Sequence, residues 1–122
     1  MEFKKSISIY EQIAHSIQEN ILDEIWKSGD RIPSVRETAG KIQVNPNTVM
    51  RTYSLLQDEG IIFNKRGIGF FVSDDAVQKT IKMQKSKFNS EMLPEFFKMI
   101  DKLKISFDEL KESYNSWKAL NN

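Results

Sequence analysis

Pro33-Ser34-Val35-Arg36-Glu37, continued through Thr38 to Gln43 and then as Val44-Asn45-Pro46-Asn47-Thr48-Val49-Met50-Arg51-Thr52-Tyr53 to Glu59, is the stretch whose reading decides the fold. It reads as two short helices with a tight connection. Ser34 followed three residues later by Glu37 is a capping-box pattern, in which side chain and backbone satisfy each other at a helix start. Val35, Thr38, Ala39 and Ile42 then recur at helical spacing and are expected to face inward. Gly40 is a candidate point of close helix approach. Gln43-Val44 makes the turn. Asn45 suits an N-cap, and Pro46 suits the first helical position, where its missing N–H costs nothing. On the second helix Val49, Thr52, Tyr53 and Leu56 share one face, with Asn47, Arg51 and Ser54 opposite and Thr48 to the side.

Upstream, Ser8 and Glu11 form another capping-box pattern, and Ile9, Ile13, Ile17, Ile21 and Ile25 predict an amphipathic helix over 8–25. Residues 1–7 read as an arm. Lys27-Ser28-Gly29-Asp30 ends the helix, and Pro33 biases Ile32 toward an extended conformation, a candidate for a very short strand. Downstream, Ile61-Ile62-Phe63 and Phe70-Phe71-Val72 flank a loop with Gly67 and Gly69, which reads as a β-hairpin with Lys65 and Arg66 at its tip. Helix, extended piece, two helices and a hairpin make a winged helix-turn-helix plan.

After Ser73-Asp74-Asp75 the character changes. Ala76 to about Asn89 carries Lys79, Lys82, Lys85 and Lys87 with sparse apolar points, and predicts a solvated helix. Its lysines fit a solvated face or contacts to DNA flanks. Pro94 begins or kinks a helix whose stripe is Leu93, Phe96, Phe97, Ile100 and Leu103. Ser106 and Glu109 form a third capping-box pattern, followed by Phe107, Leu110, Tyr114 and Trp117. The expected organisation is a winged helix over 1–75 and a helical dimerisation region over 76–122, mainly α with a small β-hairpin wing. These nine apolar residues are the candidate dimer contacts, because so short a region exposes too much apolar surface to stand unpartnered.

Composition narrows the function. The 122 residues are 39% hydrophobic and 29% charged, which fits an ordinary globular protein. No apolar run approaches the ~18–20 residues of a membrane span, so no membrane partner is expected. The first residues lack the apolar core of a signal peptide. Cysteine is absent, which excludes disulfides and agrees with a cytoplasmic location. His15 is the single histidine, so a metal site is not expected. No nucleophile with its base and no phosphate-binding glycine loop after a strand is present, so neither catalysis nor a cofactor is expected. Net charge is only +1, but basic residues segregate: Arg31, Arg36, Lys41 and Arg51 stand against one acid, Glu37, between Arg31 and Gln57.

That segregation points toward DNA. Helix N-termini present N–H groups and positive partial charge to phosphate. Arginine bonds guanine bidentately and asparagine bonds adenine, which makes Asn47 and Arg51 the candidate base readers. Ser34, Asn45 and Thr48 suit phosphate. Lys65 and Arg66, with Gly67 and Gly69 letting the backbone approach, suit backbone or minor groove. Each residue has a plainer reading: Ser34 as a cap, Arg51 as a solvated charge, Lys-Arg-Gly as an ordinary hairpin tip. Their joint order carries the case. A winged helix that serves as a protein-interaction adaptor without DNA is the alternative.

The sequence resembles the GntR family of bacterial transcription regulators over about residues 8–73. The resemblance rests on Ile9-Tyr10-Glu11-Gln12-Ile13, on Gly29 to Glu37, on Asn47-Thr48-Val49, Tyr53 and Glu59-Gly60, and on Gly67-x-Gly69-x-Phe71-Val72. It implies a winged helix binding a palindromic operator in double-stranded DNA as a homodimer. It carries DNA-contact roles onto Arg36, Asn47, Thr48, Arg51 and the wing from Lys65 to Gly69. The short region after the wing resembles the YtrA-like branch, whose two C-terminal helices serve dimerisation. Met50 stands where many relatives have arginine and receives no DNA role. A small-molecule effector is left open, with no obvious room for a large pocket in the short C-terminal region.

Overall fold

The computed structural model describes residues 7–122 and is mainly helical with one two-stranded antiparallel sheet. The arm expected over 1–7 lies, except for Ile7, outside the described residues. Two compact units are present, one running to Ser86 and one from Lys87 to Asn122.

In the first unit, α1 spans Ile9–Leu22. Ser8 caps it: its hydroxyl accepts from the Glu11 N–H and donates to the Glu11 carboxylate at 3.0 Å. The helix is shorter than the apolar spacing predicts. Glu24 turns to a φ of 57°, and the N–H groups of Ile25 and Trp26 both donate to the Asn20 carbonyl. This curls the chain back on the helix end and leaves Ile25 64% exposed, off the buried stripe of Ile13, Ile17 and Ile21.

The extended piece then joins the sheet edge. Gly29 N–H donates to Val72 O, Val72 N–H to Asp30 O and Ile32 N–H to Phe70 O, with Arg31 bridged to Phe71. Helix α2 is Val35–Ile42, started by the full reciprocal capping box of Ser34 and Glu37. Gln43 ends it in the left-handed conformation. Two expectations for α2 fail. Ile42, in its last turn, is exposed, because it lines an open cavity beside α1 and does not close against that helix. Gly40 faces open space and marks no close approach.

Helix α3 is Pro46–Asp58, with Asn45 capping and Pro46 leading. It buries Val49, Thr52, Tyr53 and Leu56, the face that its spacing predicts. Strands β1 (Ile62–Lys65) and β2 (Gly69–Val72) pair from Ile62–Val72 to Lys65–Gly69. Phe63 stacks on Phe71 across the pair, with centroids 5.8 Å apart. Gly67, at a φ of 79°, supplies the left-handed residue of the tip.

Helix α4 (Ala76–Lys87) is less solvated than its lysines suggest. Ala76 belongs to the core, Thr80 is fully buried, and Val77 and Met83 pack against the core. The compact first unit therefore runs through most of α4, past the boundary drawn at residue 75 from composition.

In the second unit a π-helical turn, Phe88–Met92, precedes α5 (Leu93–Lys102), where Pro94 sits in the first turn. Lys104, at a φ of 57°, turns the chain, and Ser106 caps α6 (Phe107–Leu120) by accepting from the Glu109 N–H at 3.1 Å. Ile100 is buried; α6 buries no residue at all. No helix among the described residues is long and apolar enough to cross a membrane.

Candidate nucleic-acid interface

The outer face of α3 is fixed from behind. Thr52 is fully buried, and a buried hydroxyl needs a partner. It donates to the Tyr10 carbonyl at 3.0 Å and the Thr48 carbonyl at 3.2 Å, locking α3 to the first turn of α1. Tyr53 does the same toward α2. Its hydroxyl donates to Pro33 O at 2.6 Å and lies 2.9 Å from the Thr38 hydroxyl, while Phe70 meets its ring edge-on at 5.0 Å. Burial pushes the Tyr53 phenol up from its usual value, partly offset by the Thr38 hydrogen bond. Tyr53 thus pins the residue just before the α2 cap to the core.

With that scaffold set, Asn47, Met50 and Arg51 are exposed along α3, and Thr48 is half-buried at the side. The Arg51 guanidinium does not wave freely. It lies over the Tyr10 ring, 3.9 Å from the centroid. Asn45 at the α3 start spends its side-chain oxygen on the Asn47 N–H at 2.8 Å. At the α2 start Ser34 accepts from the Glu37 N–H and gives its own N–H to the Glu37 carboxylate, both at 3.0 Å. That backbone bond, then the Ser34 hydroxyl, hold the Glu37 carboxyl below its ordinary range, with Arg31 adding to it. The acid inside this basic stretch is therefore committed to its cap. Arg36 stands exposed beside it.

At the wing, Lys65 places its ammonium 4.6 Å from the Phe71 ring centroid, and Arg66 and Gly67 are exposed at the tip. Gly69 has a φ of 143°, and a Cβ there would meet the Arg31 guanidinium at 2.8 Å. Arg31 therefore packs against the base of the wing.

All ten candidate DNA-contact residues fall in the first unit: two at the α2 start, four on and before α3, four on the wing. Sequence reading missed Tyr10 and Arg31 as supports. The signal for Tyr10 was a threonine on the inward face of α3, which had to find an acceptor. Among the described residues no group of three or more His, Asp or Glu residues can hold a metal, and His15 lies 3.7 Å from Glu19 on the surface. A half-open cavity of about 460 Å³ lies among α1, α2 and Trp26, lined by Ile17, Thr38, Lys41 and Tyr53 among others. That is within the usual range for small-molecule sites, and it lies in the first unit, away from the short C-terminal region where no room for a large pocket is expected.

The model for bacterial regulatory proteins of the gntR family matches residues 9–72, from the start of α1 to the end of the wing. The chain belongs to the GntR family. The uncharacterized HTH-type transcriptional regulator YhcF of Bacillus subtilis is 35% identical over 116 residues, covering 95% of this chain and 94% of that protein. The HTH-type transcriptional repressor YtrA of the same organism is 48% identical over 73 residues, 60% of this chain and 56% of its own length. A crystal structure of a GntR-family protein from Bacteroides thetaiotaomicron superposes with a TM-score of 0.82 at 41% identity, covering 94% of this chain and all of that one. This GntR protein is a winged-helix, DNA-binding transcription regulator and not an enzyme.

Proposed function

We propose that this regulator is a cytoplasmic repressor that binds a palindromic operator as a homodimer. The observation that carries the dimer is α6. Its Phe107, Tyr114, Trp117 and Leu120 are all exposed, on a helix with no buried residue. Phe97 and Leu103 add exposed apolar surface in the same unit, with Leu93, Phe96 and Leu110 half-buried beside them. Exposed apolar surface on this scale, in so small a unit, is what a two-fold partner buries. The pairing region is then the helical segment after the wing, and the reading region the winged helix of 1–75. Repression follows the similarity to YtrA, a transcriptional repressor.

In each protomer α3 enters the major groove. Asn47 and Arg51 read base edges, an amide for adenine and a guanidinium for guanine. Ser34, Arg36, Asn45 and Thr48 hold phosphates at the starts of α2 and α3. Lys65, Arg66, Gly67 and Gly69 bring the wing to the backbone or minor groove. A two-fold dimer sets the two recognition helices about one turn of DNA apart, ~34 Å. An effector, where one acts, has room in the cavity beside α2.

Selection from a random duplex pool, with sedimentation of the free protein, tests this. A palindrome with half-sites one turn apart and a dimer at micromolar concentration is the expected result. A monomer with no enriched sequence would make the chain an adaptor.

A further inference from the structure

The strip that α3 turns outward contains one residue that no polar contact explains. Met50 is 44% exposed, the only large hydrophobic side chain of α3 so placed. At ~100° per residue it lies about 60° from Asn47 on the flank nearer Tyr53, while Arg51 lies about 40° away on the other flank. The two flanks are not equivalent. Arg51 is held toward α1 by its stack on Tyr10. Met50 is left beside Asn47 facing outward.

A thioether offers a phosphate no hydrogen-bond donor, so Met50 cannot serve as a backbone anchor. The major groove presents one apolar group on its floor, the 5-methyl of thymine. A methionine is long, unbranched and polarizable, and packs on a methyl without needing one fixed rotamer.

We infer that Met50 is a specificity residue that recognises the 5-methyl group of one thymine in each half-site, next to the base read by Asn47. This rests on the proposed placement of α3 in the major groove. It gives the recognition strip an apolar reader flanking an amide, with arginine set to the other side.

The test uses the full chain and the operator obtained by selection. Each thymine is replaced in turn by deoxyuridine, which removes the methyl and keeps every hydrogen-bonding edge. Affinity is read by fluorescence anisotropy. The wild type should lose about fourfold at one thymine per half-site, the worth of one buried methyl-sized group, and roughly 15-fold when both half-sites are changed. Met50→Ala should bind the thymine and deoxyuridine operators equally, and Met50→Leu should keep most of the preference. Because Met50 is exposed, these variants should melt with the wild type. Equal deoxyuridine losses in wild type and Met50→Ala, or none at any position, overturn the role of Met50 alone. Failure to enrich any sequence overturns the groove placement together with it.

Discussion

The Arg51 guanidinium rests 3.9 Å from the centroid of the Tyr10 ring, and the neighbouring Thr52 hydroxyl donates to the carbonyl of that same Tyr10 at 3.0 Å. One residue of α1 therefore holds α3 by its backbone and aims the α3 arginine by its side chain. A cation over a ring face is attracted to it without spending its N–H donors, which remain the groups that bond guanine.

Separate consequences follow for the two partners. Arg51→Ala should relax base preference at one position per half-site, by about 1–3 kcal/mol, in a competition against single-base operator variants. Tyr10→Ala should weaken specific binding about two- to fivefold at that same position, the worth of an exposed cation–π contact. Tyr10→Phe keeps the ring and should bind as the wild type does. If Tyr10→Ala weakens all sequences equally, the ring serves the fold and not the arginine.

Two buried threonines should respond oppositely to loss of their hydroxyls. Thr52 shares its hydroxyl proton between two carbonyls, so Thr52→Val should cost about 0.5–1.5 kcal/mol in thermal or urea unfolding, the net worth of the lost hydrogen bond. Thr80 is equally buried, but its hydroxyl has no partner. Thr80→Val exchanges an unsatisfied polar atom for a methyl and should unfold no earlier than the wild type. A clear loss at Thr80 would reveal a hydrogen bond there.

The α2 cap should be sensitive to acid. Glu37 has its pKa lowered in the folded chain, first by the Ser34 backbone bond, so its contribution is complete above the ordinary value of 4.5. It is lost as pH falls through the lowered folded value. Urea midpoints measured from neutral pH downward should therefore drop more steeply in the wild type than in Glu37→Gln, which still reaches back to the Ser34 N–H but does not titrate. Parallel profiles would show that the cap carries no linked proton.

Trp117→Glu should shift the protein toward monomer in sedimentation and weaken binding to a full palindrome far more than to a single half-site. A charge has no partner in an apolar seam, so the shift should be large. An unchanged dimer would move the pairing surface off α6.

Much of this was legible because local rules and tertiary packing agree. The caps at Ser34, Asn45 and Ser106, the four buried residues of α3 and the hairpin follow from spacing and turn chemistry. The failures have physical sources. Ile25 continues the α1 stripe on paper, but backbone bonding to Asn20 ends the helix first, and periodicity carries no record of that competition. The lysines of α4 hid Ala76 and Thr80, whose small side chains give hydropathy little to register yet fit a buried contact. The supports of the interface, Tyr10 beneath Arg51 and Arg31 beside Gly69, join residues far apart in the chain, and no local pattern reports such pairs.

Helix α6 leaves its aromatic residues uncovered. A free helix of its length is marginal in water, so what keeps it helical must come from whatever covers those side chains. On the proposed dimer, folding of this segment and pairing of the chains become one equilibrium, set by protein concentration. The amount of regulator in the cell would then act as an input of its own: scarce protein would be not merely less of a repressor but a less completely folded one.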